Sequence, residues 1–264
     1  MNKLKAIILD LDDTLMIEEE SAIFCMAKTI ATYTNWDDKR SYDAVETLRA
    51  LAKQRWHGLS VHRVAEKLHI SSWEALWADF DASEPYSHVF VPIQEEYQLG
   101  VWQDFFYAFN LDARELAGKA MMCNKKLRKD RHILFSDALG FLENLYPRFP
   151  LALVTNGAAE TQWCKINGSS IAAYFQTILI AGELGFGKPD PEIYHLACRE
   201  LGMAPKHCLM VGNSLANDVM GAMEAGMRAI WVKRGHQHRV DKNLGAYWEC
   251  SDLKEVWGII KGLC

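Results

Sequence analysis

Three acidic residues stand close together near the start of the chain. Asp10, Asp12 and Asp13 follow the short apolar segment Leu4–Leu9, which has the length and composition of a buried strand. Alternate side chains, those of Asp10 and Asp12, can both project into the crevice at the carboxyl end of that strand, where open α/β sheets bind ligands. Because neighbouring carboxylates repel one another, the cluster predicts a hard divalent cation such as Mg²⁺.

Polar residues also follow or adjoin later elements. Thr155–Gly157 comes after the apolar segment Leu151–Val154, and Asn213 comes shortly after Cys208–Val211. Lys188 lies just before a stretch of helical length. Taken alone, a Thr-Asn-Gly sequence is typical of a turn and a Lys-Pro sequence of a solvated loop. Their order along the chain and their place at the ends of elements make them candidates for a shared site.

Four segments, in this order, resemble the motifs of the haloacid dehalogenase-like hydrolase superfamily. They are Asp10-Leu11-Asp12-Asp13-Thr14, Leu153-Val154-Thr155-Asn156-Gly157, Gly187-Lys188-Pro189-Asp190-Pro191-Glu192-Ile193-Tyr194, and Val211-Gly212-Asn213-Ser214 through Asp218. The resemblance covers the chain on both sides of a long interval, which is similar to the family's helical cap only in location and helicity. The second and third motifs have the form found in phosphatases of nucleoside monophosphates, sugar phosphates and acylneuraminate phosphates.

The resemblance implies a Mg²⁺-dependent phosphatase that acts on a small phosphorylated metabolite. Asp10 is then the nucleophile that forms an aspartyl-phosphate. Asp12 protonates the leaving oxygen and later deprotonates the hydrolytic water. Lys188 offsets the charge of Asp10 and of the transferring phosphoryl group.

Further roles follow from the same resemblance. The Thr155 hydroxyl, the amides of Asn156 and Gly157, and Lys188 are expected to hold the phosphate oxygens. Asp10, Asp12, Asn213 and Asp218 are the expected metal ligands.

One of these ligand positions departs from the family pattern. The family usually has an acid where this chain has Asn213, and a neutral amide binds Mg²⁺ more weakly than a carboxylate does. Asp218 matches the later acid of that motif and could compensate.

The superfamily also includes proteins with functions other than phosphatase activity. Members that are haloacid dehalogenases lack the second acid, so Asp12 argues against that reaction. A phosphomutase stays open as an alternative, although the sequence has no recognisable substrate-shuttling signature. So does a binding protein that has lost turnover, for which Asn213 is the supporting feature.

The pattern of elements that positions these residues predicts an α/β fold with a doubly wound parallel sheet. Strand-like segments alternate with amphipathic helical stretches such as Glu192–Leu201 and Asp218–Ala225, a pattern typical of right-handed crossovers. The predicted strands are Leu4–Leu9, Leu151–Val154, Thr177–Ile180, Cys208–Val211 and Ala229–Val232.

The interval between the first two strands predicts an inserted, all-helical cap over residues 17–134. Residues 1–16 and 135–264 then form the hydrolase core. The predicted cap helices are Ala22–Thr34, Ser41–Gln54, Val61–Leu68, Trp73–Phe80, Ile93–Phe109 and Ala113–Leu127, with breaks near Trp36, Gly58, Ser71, Glu84-Pro85 and Asn110.

The composition limits the kinds of partner that the protein is expected to bind. A net charge of −5 over 264 residues provides no concentrated positive charge for nucleic acid or an anionic membrane. The basic segment Lys125–Arg131 is interpreted as a solvated helix end, with attraction of an anionic substrate as the alternative. The oligomeric state is not predicted.

Cysteine usage favours a cytoplasmic protein. Seven cysteines without CxxC spacing suit a reducing compartment. No signal-peptide pattern or membrane-length apolar stretch was found. His236 and His238 are interpreted as part of a polar loop rather than a zinc site.

Overall fold

The computed structural model describes residues 3–83, 86–234 and 247–263. The predicted break at Glu84-Pro85, the His236 and His238 loop and Cys264 lie outside these residues. Within the described ranges, none of the helices is both long enough and apolar enough to cross a membrane.

Six parallel strands form one sheet in the order β3-β2-β1-β4-β5-β6. The strands are β1 (Ala6–Leu9), β2 (Leu151–Thr155), β3 (Thr177–Ile180), β4 (Cys208–Gly212), β5 (Arg228–Val232) and β6 (Trp248–Cys250). In the centre, Leu9 is in register with Leu153 on one side and Val211 on the other. The strand order reverses at β1, which places a ligand-binding crevice at the carboxyl ends of β1 and β4. The predicted doubly wound parallel sheet is confirmed.

The predicted strands are all present, with ends that differ by at most two residues. The sixth strand, β6, was not predicted. It has only three residues, and its middle residue Glu249 is exposed, so it lacks the apolar run that marks a buried strand. It pairs with β5 alone and forms one edge of the sheet.

Helices cover both faces of the sheet. They are α7 (Ala138–Leu145), α8 (Ala159–Gly168), α9 (Ala181–Leu184), α10 (Pro191–Glu200), α11 (Gly221–Glu224) and α12 (Leu253–Leu263). Ile7 and Leu9 of β1 pack with α7 and α12, whereas Ala6 and Ile8 pack with α10 and α11, as alternation along a strand requires. The predicted helix Asp218–Ala225 begins earlier, as a π-helical turn over Leu215–Met220 that continues into α11.

In the part of the chain that the structure describes, six α-helices lie between β1 and the start of α7. They are α1 (Glu19–Thr34), α2 (Asp38–His57), α3 (His62–Leu68), α4 (Ser72–Ala75), α5 (Gln94–Ala108) and α6 (Ala113–Lys129). They have their own apolar cluster, which includes Leu48, Trp56, Trp102 and Phe105. This packing supports a separate cap, although its boundaries at 17 and 134 stay a prediction.

The predicted helix Trp73–Phe80 is present only in its first turn, because α4 (Ser72–Ala75) ends at Ala75. Beyond it, side chains of α5 satisfy backbone groups that a continued helix would have used. Gln98 Nε2 donates to the carbonyls of Ala75 and Ala78 at 2.8 and 2.7 Å, and Gln94 Oε1 accepts from the Phe80 amide at 2.9 Å. Tertiary hydrogen bonds therefore outweigh the local helical pattern.

The chain leaves the sheet for these helices and returns at one place. Met16 and Leu134 form an antiparallel bridge. The Ile17 amide donates to the Ile133 carbonyl at 2.8 Å, and the Phe135 amide donates to the Leu15 carbonyl at 2.9 Å. The two connecting segments thus form a short paired stem.

Candidate active site

Asp10 is the first residue after β1, at the centre of the carboxyl edge of the sheet. Its amide donates to the Val211 carbonyl of β4 at 3.0 Å, and the residue is 5% exposed. The buried Thr14 hydroxyl donates to Asp10 Oδ2 at 2.8 Å and lies 3.5 Å from Asn213 Oδ1. The strand order therefore brings the oxygens of Asp10 and Asn213 to the same hydroxyl.

Lys188 joins two buried carboxylates. Its Nζ lies 2.6 Å from Asp10 Oδ1 and 2.6 Å from Asp218 Oδ1. Asp218 Oδ2 also accepts from the Ser214 amide at 2.8 Å. Asp218 packs so closely on Gly212 that a Cβ there would lie 2.3 Å from the carboxylate carbon. Both Asp218 oxygens are therefore already bonded within the protein.

Asn156 holds the backbone of Lys188 in place. Its Oδ1 accepts from the Lys188 amide and its Nδ2 donates to the Lys188 carbonyl, both at 2.8 Å. The Asn156 side chain thus fixes the loop that carries the lysine. Sequence reasoning assigned Asn156 only to the phosphate, through its amide, and missed this contact.

Burial dominates the protonation of the central acid. It raises the pKa of Asp10 to about 7 although Lys188 opposes the rise, and the carboxylates of Asp218 and Asp12 add to it. Burial alone would lower the pKa of Lys188, but Asp10 and Asp218 raise it above its usual range. Lys188 is therefore a fixed positive charge beside Asp10.

Asp12 is held by a second buried lysine. Lys165 Nζ lies 2.8 and 3.0 Å from the two Asp12 carboxylate oxygens, and Gln162 Nε2 donates to Asp12 Oδ2 at 3.1 Å. Lys165 and Gln162 are three residues apart on α8 and share one face. Sequence reasoning missed both residues because α8 itself was not predicted.

Glu18 extends this ion-pair network to α6. Its Oε1 lies 3.3 Å from Lys165 Nζ and also accepts from Arg128 Nη2. Although burial acts in the opposite direction, Lys165 and Arg128 hold the pKa of Glu18 below its usual range. Arg128 is 2% exposed. The interpretation of residues 125–131 as a solvated helix end is therefore wrong at Arg128, because this cation compensates a buried acid.

Asp13 has a structural contact at the same turn. It adopts a left-handed conformation with φ of 54°, and its Oδ1 accepts from the amides of Glu18 and Glu19 at 2.9 and 3.2 Å. The third acid of the cluster therefore satisfies free amides at the start of α1.

The predicted phosphate-binding segment is partly engaged by the protein. The Thr155 hydroxyl donates to the Asn156 carbonyl at 3.3 Å and accepts from Gln162 Nε2. The Gly157 amide donates to the Leu68 carbonyl at 2.9 Å. A phosphate contact from this amide would require the hydrogen bond to Leu68 to break. Its assignment to phosphate binding stays a prediction.

Glu74 connects α4 to the start of α8 and was also missed by sequence reasoning. Its Oε1 accepts from the Ala158 amide at 2.8 Å and from the Thr161 hydroxyl at 2.6 Å. Gly157 permits this approach, since a Cβ there would lie 2.7 Å from Glu74 Oε1. Ser71 and Glu74 form a capping box, and its sequence pattern was the available signal.

These residues line a cavity of about 300 Å³. Its charged walls contain six acids and two lysines, namely Asp10, Asp12, Asp13, Glu18, Glu74, Asp218, Lys165 and Lys188. The predicted residues Thr155, Asn156 and Asn213 also line it, whereas Gly157 is not among the lining residues. The sequence-predicted residues therefore converge, with Gly157 directed toward Leu68 instead.

The cavity contains oxygen donors of the kind that Mg²⁺ prefers, namely the predicted ligands Asp10, Asp12, Asn213 and Asp218. The carboxylate oxygens of Asp10, Asp12 and Asp218 all have partners within the protein. Asp10 and Asn213 are distinguished by position, because their oxygens face each other across the Thr14 hydroxyl. Throughout the described ranges, no three His, Cys, Asp or Glu side chains are grouped to hold a metal. Mg²⁺ needs only one or two protein carboxylates when water and substrate phosphate complete its shell.

Comparison with known proteins finds relatives with phosphatase names, two of which are described here. The phosphoserine phosphatase of Thermus thermophilus is 30% identical over 262 residues, covering 96% of this chain and 98% of that protein. The N-acylneuraminate-9-phosphatase of Mus musculus is 31% identical over 153 residues, covering 58% of this chain and 62% of that enzyme.

The fold and the sequence profile agree with these matches. The HAD hydrolase YfnB of Bacillus subtilis, solved bound to magnesium, superposes with a TM-score of 0.68 at 17% identity, covering 98% of this chain and 99% of that one. A family model described as haloacid dehalogenase-like hydrolase matches residues 4–226. The resemblance carried by the four motifs is confirmed, and the chain belongs to the haloacid dehalogenase-like hydrolases.

Proposed function

We propose that this enzyme hydrolyses a small phosphate monoester through an aspartyl-phosphate on Asp10, with Asp12 as general acid and base. The observation that carries the proposal is the pairing of each carboxylate with its own buried lysine in one cavity. Lys188 contacts Asp10 and Lys165 contacts Asp12. The two acids thus have separate electrostatic surroundings, as two different roles require.

The enzyme class has independent support. The chain belongs to the hydrolase family that matches residues 4–226, and the relatives described above are named phosphatases. The chain is accordingly a phosphoric monoester hydrolase. The covalent intermediate, the metal and the substrate are parts of the proposal.

In the first step, a carboxylate oxygen of Asp10 attacks phosphorus and the ester P–O bond breaks. Asp12 gives its proton to the departing oxygen. Lys188, fixed between Asp10 and Asp218, offsets negative charge on the nucleophile and on the phosphoryl oxygens. The products of this step are the free alcohol and a phosphorylated Asp10.

In the second step, water attacks the phosphorus of the acyl phosphate. Asp12 takes a proton from this water, the P–O bond to Asp10 breaks, and inorganic phosphate leaves. The Asp10 carboxylate and the protonated Asp12 are restored for the next cycle. Lys165 keeps Asp12 in position through both of its oxygens.

Asp10 and Asn213 are the side chains proposed to hold Mg²⁺, with Asp218 acting through Lys188. The cation would supply positive charge to a cavity in which acids outnumber lysines and which must accept a further anion. Binding of a dianionic phosphate would otherwise be opposed by the surrounding carboxylates.

The region from residue 17 to 134 is proposed as a cap that supplies specificity. Its residues His69, Ser71, Trp73 and Glu74 line the active-site cavity. Phosphoserine and N-acylneuraminate 9-phosphate, taken from the names of the relatives, are the first candidate substrates. A cytoplasmic location stays a prediction.

Asp10→Asn tests the covalent mechanism. We expect no phosphate release, because an amide cannot serve as the nucleophile. Acid-quenched wild-type enzyme should gain the mass of one phosphoryl group on the peptide that contains Asp10, and the variant should not. Substantial turnover by a folded Asp10→Asn enzyme would refute the mechanism.

A further inference from the structure

A second cavity lies beside the active site, among helices α1 to α4. Its volume is about 740 Å³, within the range of small-molecule sites. Ser71 and Trp73 line both this cavity and the active-site cavity. The two cavities therefore adjoin at Ser71 and Trp73, and a substrate whose phosphate lies at Asp10 would pass Trp73 to reach the second one.

One wall of the second cavity is a basic face of α2. Arg49, Lys53 and His57 line it, and their spacing of four residues places them on one side of the helix. With a rise of 1.5 Å per residue, this row is about 12 Å long. Across the cavity end, the ring of His62 lies 4.4 Å from that of His57.

The near end of this row is tied to the active site. Arg49 Nη2 lies 2.9 Å from Glu19 Oε1, and its guanidinium lies 5.3 Å from the centroid of the Trp73 ring. The Glu19 amide in turn donates to Asp13. The basic row therefore begins next to the catalytic turn and leads away from it.

The two cavities have opposite charge. Acids outnumber lysines in the active-site cavity, whereas Glu46 is the one acidic residue among the described residues that line the second. Arg49 is paired with Glu19, but Lys53 is exposed and has no ion pair with any residue in the described ranges. Its ammonium is thus available to a ligand.

We infer that the second cavity binds a second anionic group, at the far end of the substrate's leaving group. Lys53 is the main contact for this carboxylate or phosphate, with Arg49 and His57 on either side of it. Trp56 and Trp73 provide apolar surface for the carbon chain between the two groups. The inference rests on the proposed function and narrows its substrate class to elongated phosphate monoesters that carry a remote acid.

The test compares substrates that differ only at the remote end. 6-Phosphogluconate and sorbitol 6-phosphate have the same carbon chain, and one ends in a carboxylate and the other in an alcohol. We expect kcat/KM for the acid to exceed that for the alcohol about tenfold, as one charge-assisted hydrogen bond allows. A comparison of kcat/KM for fructose 1,6-bisphosphate and fructose 6-phosphate shows whether a remote phosphate is bound as well as a carboxylate.

Lys53→Gln should lower the acid-to-alcohol preference about fivefold, because it removes the unpaired charge. Lys67→Gln is the matched control, since Lys67 is also an exposed lysine of this helical region but does not line the cavity. It should leave the preference unchanged. Both substitutions lie on the surface, so the fold should tolerate them.

Two outcomes would overturn the inference. One is equal kcat/KM within both substrate pairs, and the other is a preference that Lys53→Gln leaves intact. If wild-type enzyme hydrolyses none of these esters and neither phosphoserine nor N-acylneuraminate 9-phosphate, the proposed function fails instead. Calorimetry of the same substrate pairs then tests the cavity separately. Equal dissociation constants within each pair would exclude an anion-binding subsite there.

Discussion

Lys165 contacts both carboxylate oxygens of Asp12, at 2.8 and 3.0 Å, from a helix on the far side of the cavity. Burial would lower the pKa of this lysine, but Asp12, Glu18 and Glu74 raise it above its usual range. Lys165 is thus a permanent charge that positions the proposed acid and base.

Lys165→Met should reduce kcat/KM about tenfold or more, and the loss should be larger for sugar phosphates than for an aryl phosphate, whose leaving group needs no proton. Removing one partner of a buried ion pair also costs about 3–5 kcal/mol of stability. Urea unfolding measures the second effect. Equal losses on both substrates would indicate a purely structural role, and the exposed Lys206→Met provides the control.

Asp12→Asn should slow both half-reactions, because an amide can neither donate the needed proton nor accept one from water. An aryl phosphate should recover the first step but not the second, so phosphorylated enzyme should accumulate after rapid mixing and acid quench. Asp13→Asn is the matched control, since its amide oxygen can still accept from Glu18 and Glu19. Comparable losses in both variants would contradict the role of Asp12.

Asn213→Asp should lower the magnesium concentration for half-maximal activity, because it adds a charged oxygen ligand. Without metal, the new carboxylate stands near Asp10 across Thr14, so the variant should melt at a lower temperature and recover more with Mg²⁺ than wild type does. Asn217→Asp adds the same charge elsewhere in the cavity. If it has the same effect, Asn213 is not a specific ligand.

The raised pKa of Glu74 predicts that the free energy of unfolding depends on pH. Burial raises its pKa above the ordinary 4.5, although Lys165 opposes this. The folded state therefore binds the Glu74 proton more tightly than the unfolded state does. This proton contributes to stability below pH 4.5, and the contribution is lost as the pH rises through the raised pKa. Glu74→Gln does not titrate, so its stability relative to wild type should increase between about pH 4 and about pH 8.

The control for that measurement is Glu74→Ala, which removes the acceptor for the Ala158 amide and the Thr161 hydroxyl. Relative to Glu74→Gln it should cost about 1–3 kcal/mol at every pH, because neither variant titrates at this position. Urea midpoints of the three proteins at the two pH values give the comparison. Parallel curves for wild type and Glu74→Gln would mean that the pKa of Glu74 is not raised in the folded protein.

The sheet was predictable because each central strand is a short apolar run followed by a polar residue. β6 was not, since an edge strand such as Trp248–Cys250 needs pairing on one side only. The end of α4 depends on Gln94 and Gln98, which lie about twenty residues further along the chain. Local periodicity has no access to such contacts.

The active-site residues also divide into those that the sequence could predict and those that it could not. Asp10, Lys188 and Asn213 stand in motifs at the ends of elements, so the sequence could bring them together. Lys165 and Arg128 lie inside helices, where a cation normally faces solvent, and only the fold shows that each meets a buried acid. Their charges could be read from the sequence, but their partners could not.

The paired stem at Met16 and Leu134 brings the two ends of the helical region together. The chain therefore enters and leaves this region, here called the cassette, side by side. A segment whose ends leave a domain side by side can be replaced by another without changing the spacing of the strands that flank it. Asp10 and Lys188 both lie outside the cassette in the sequence, so its exchange would preserve the proposed nucleophile and the cation beside it. The same chemistry could then be directed to new esters through recombination rather than through point mutation of the sheet.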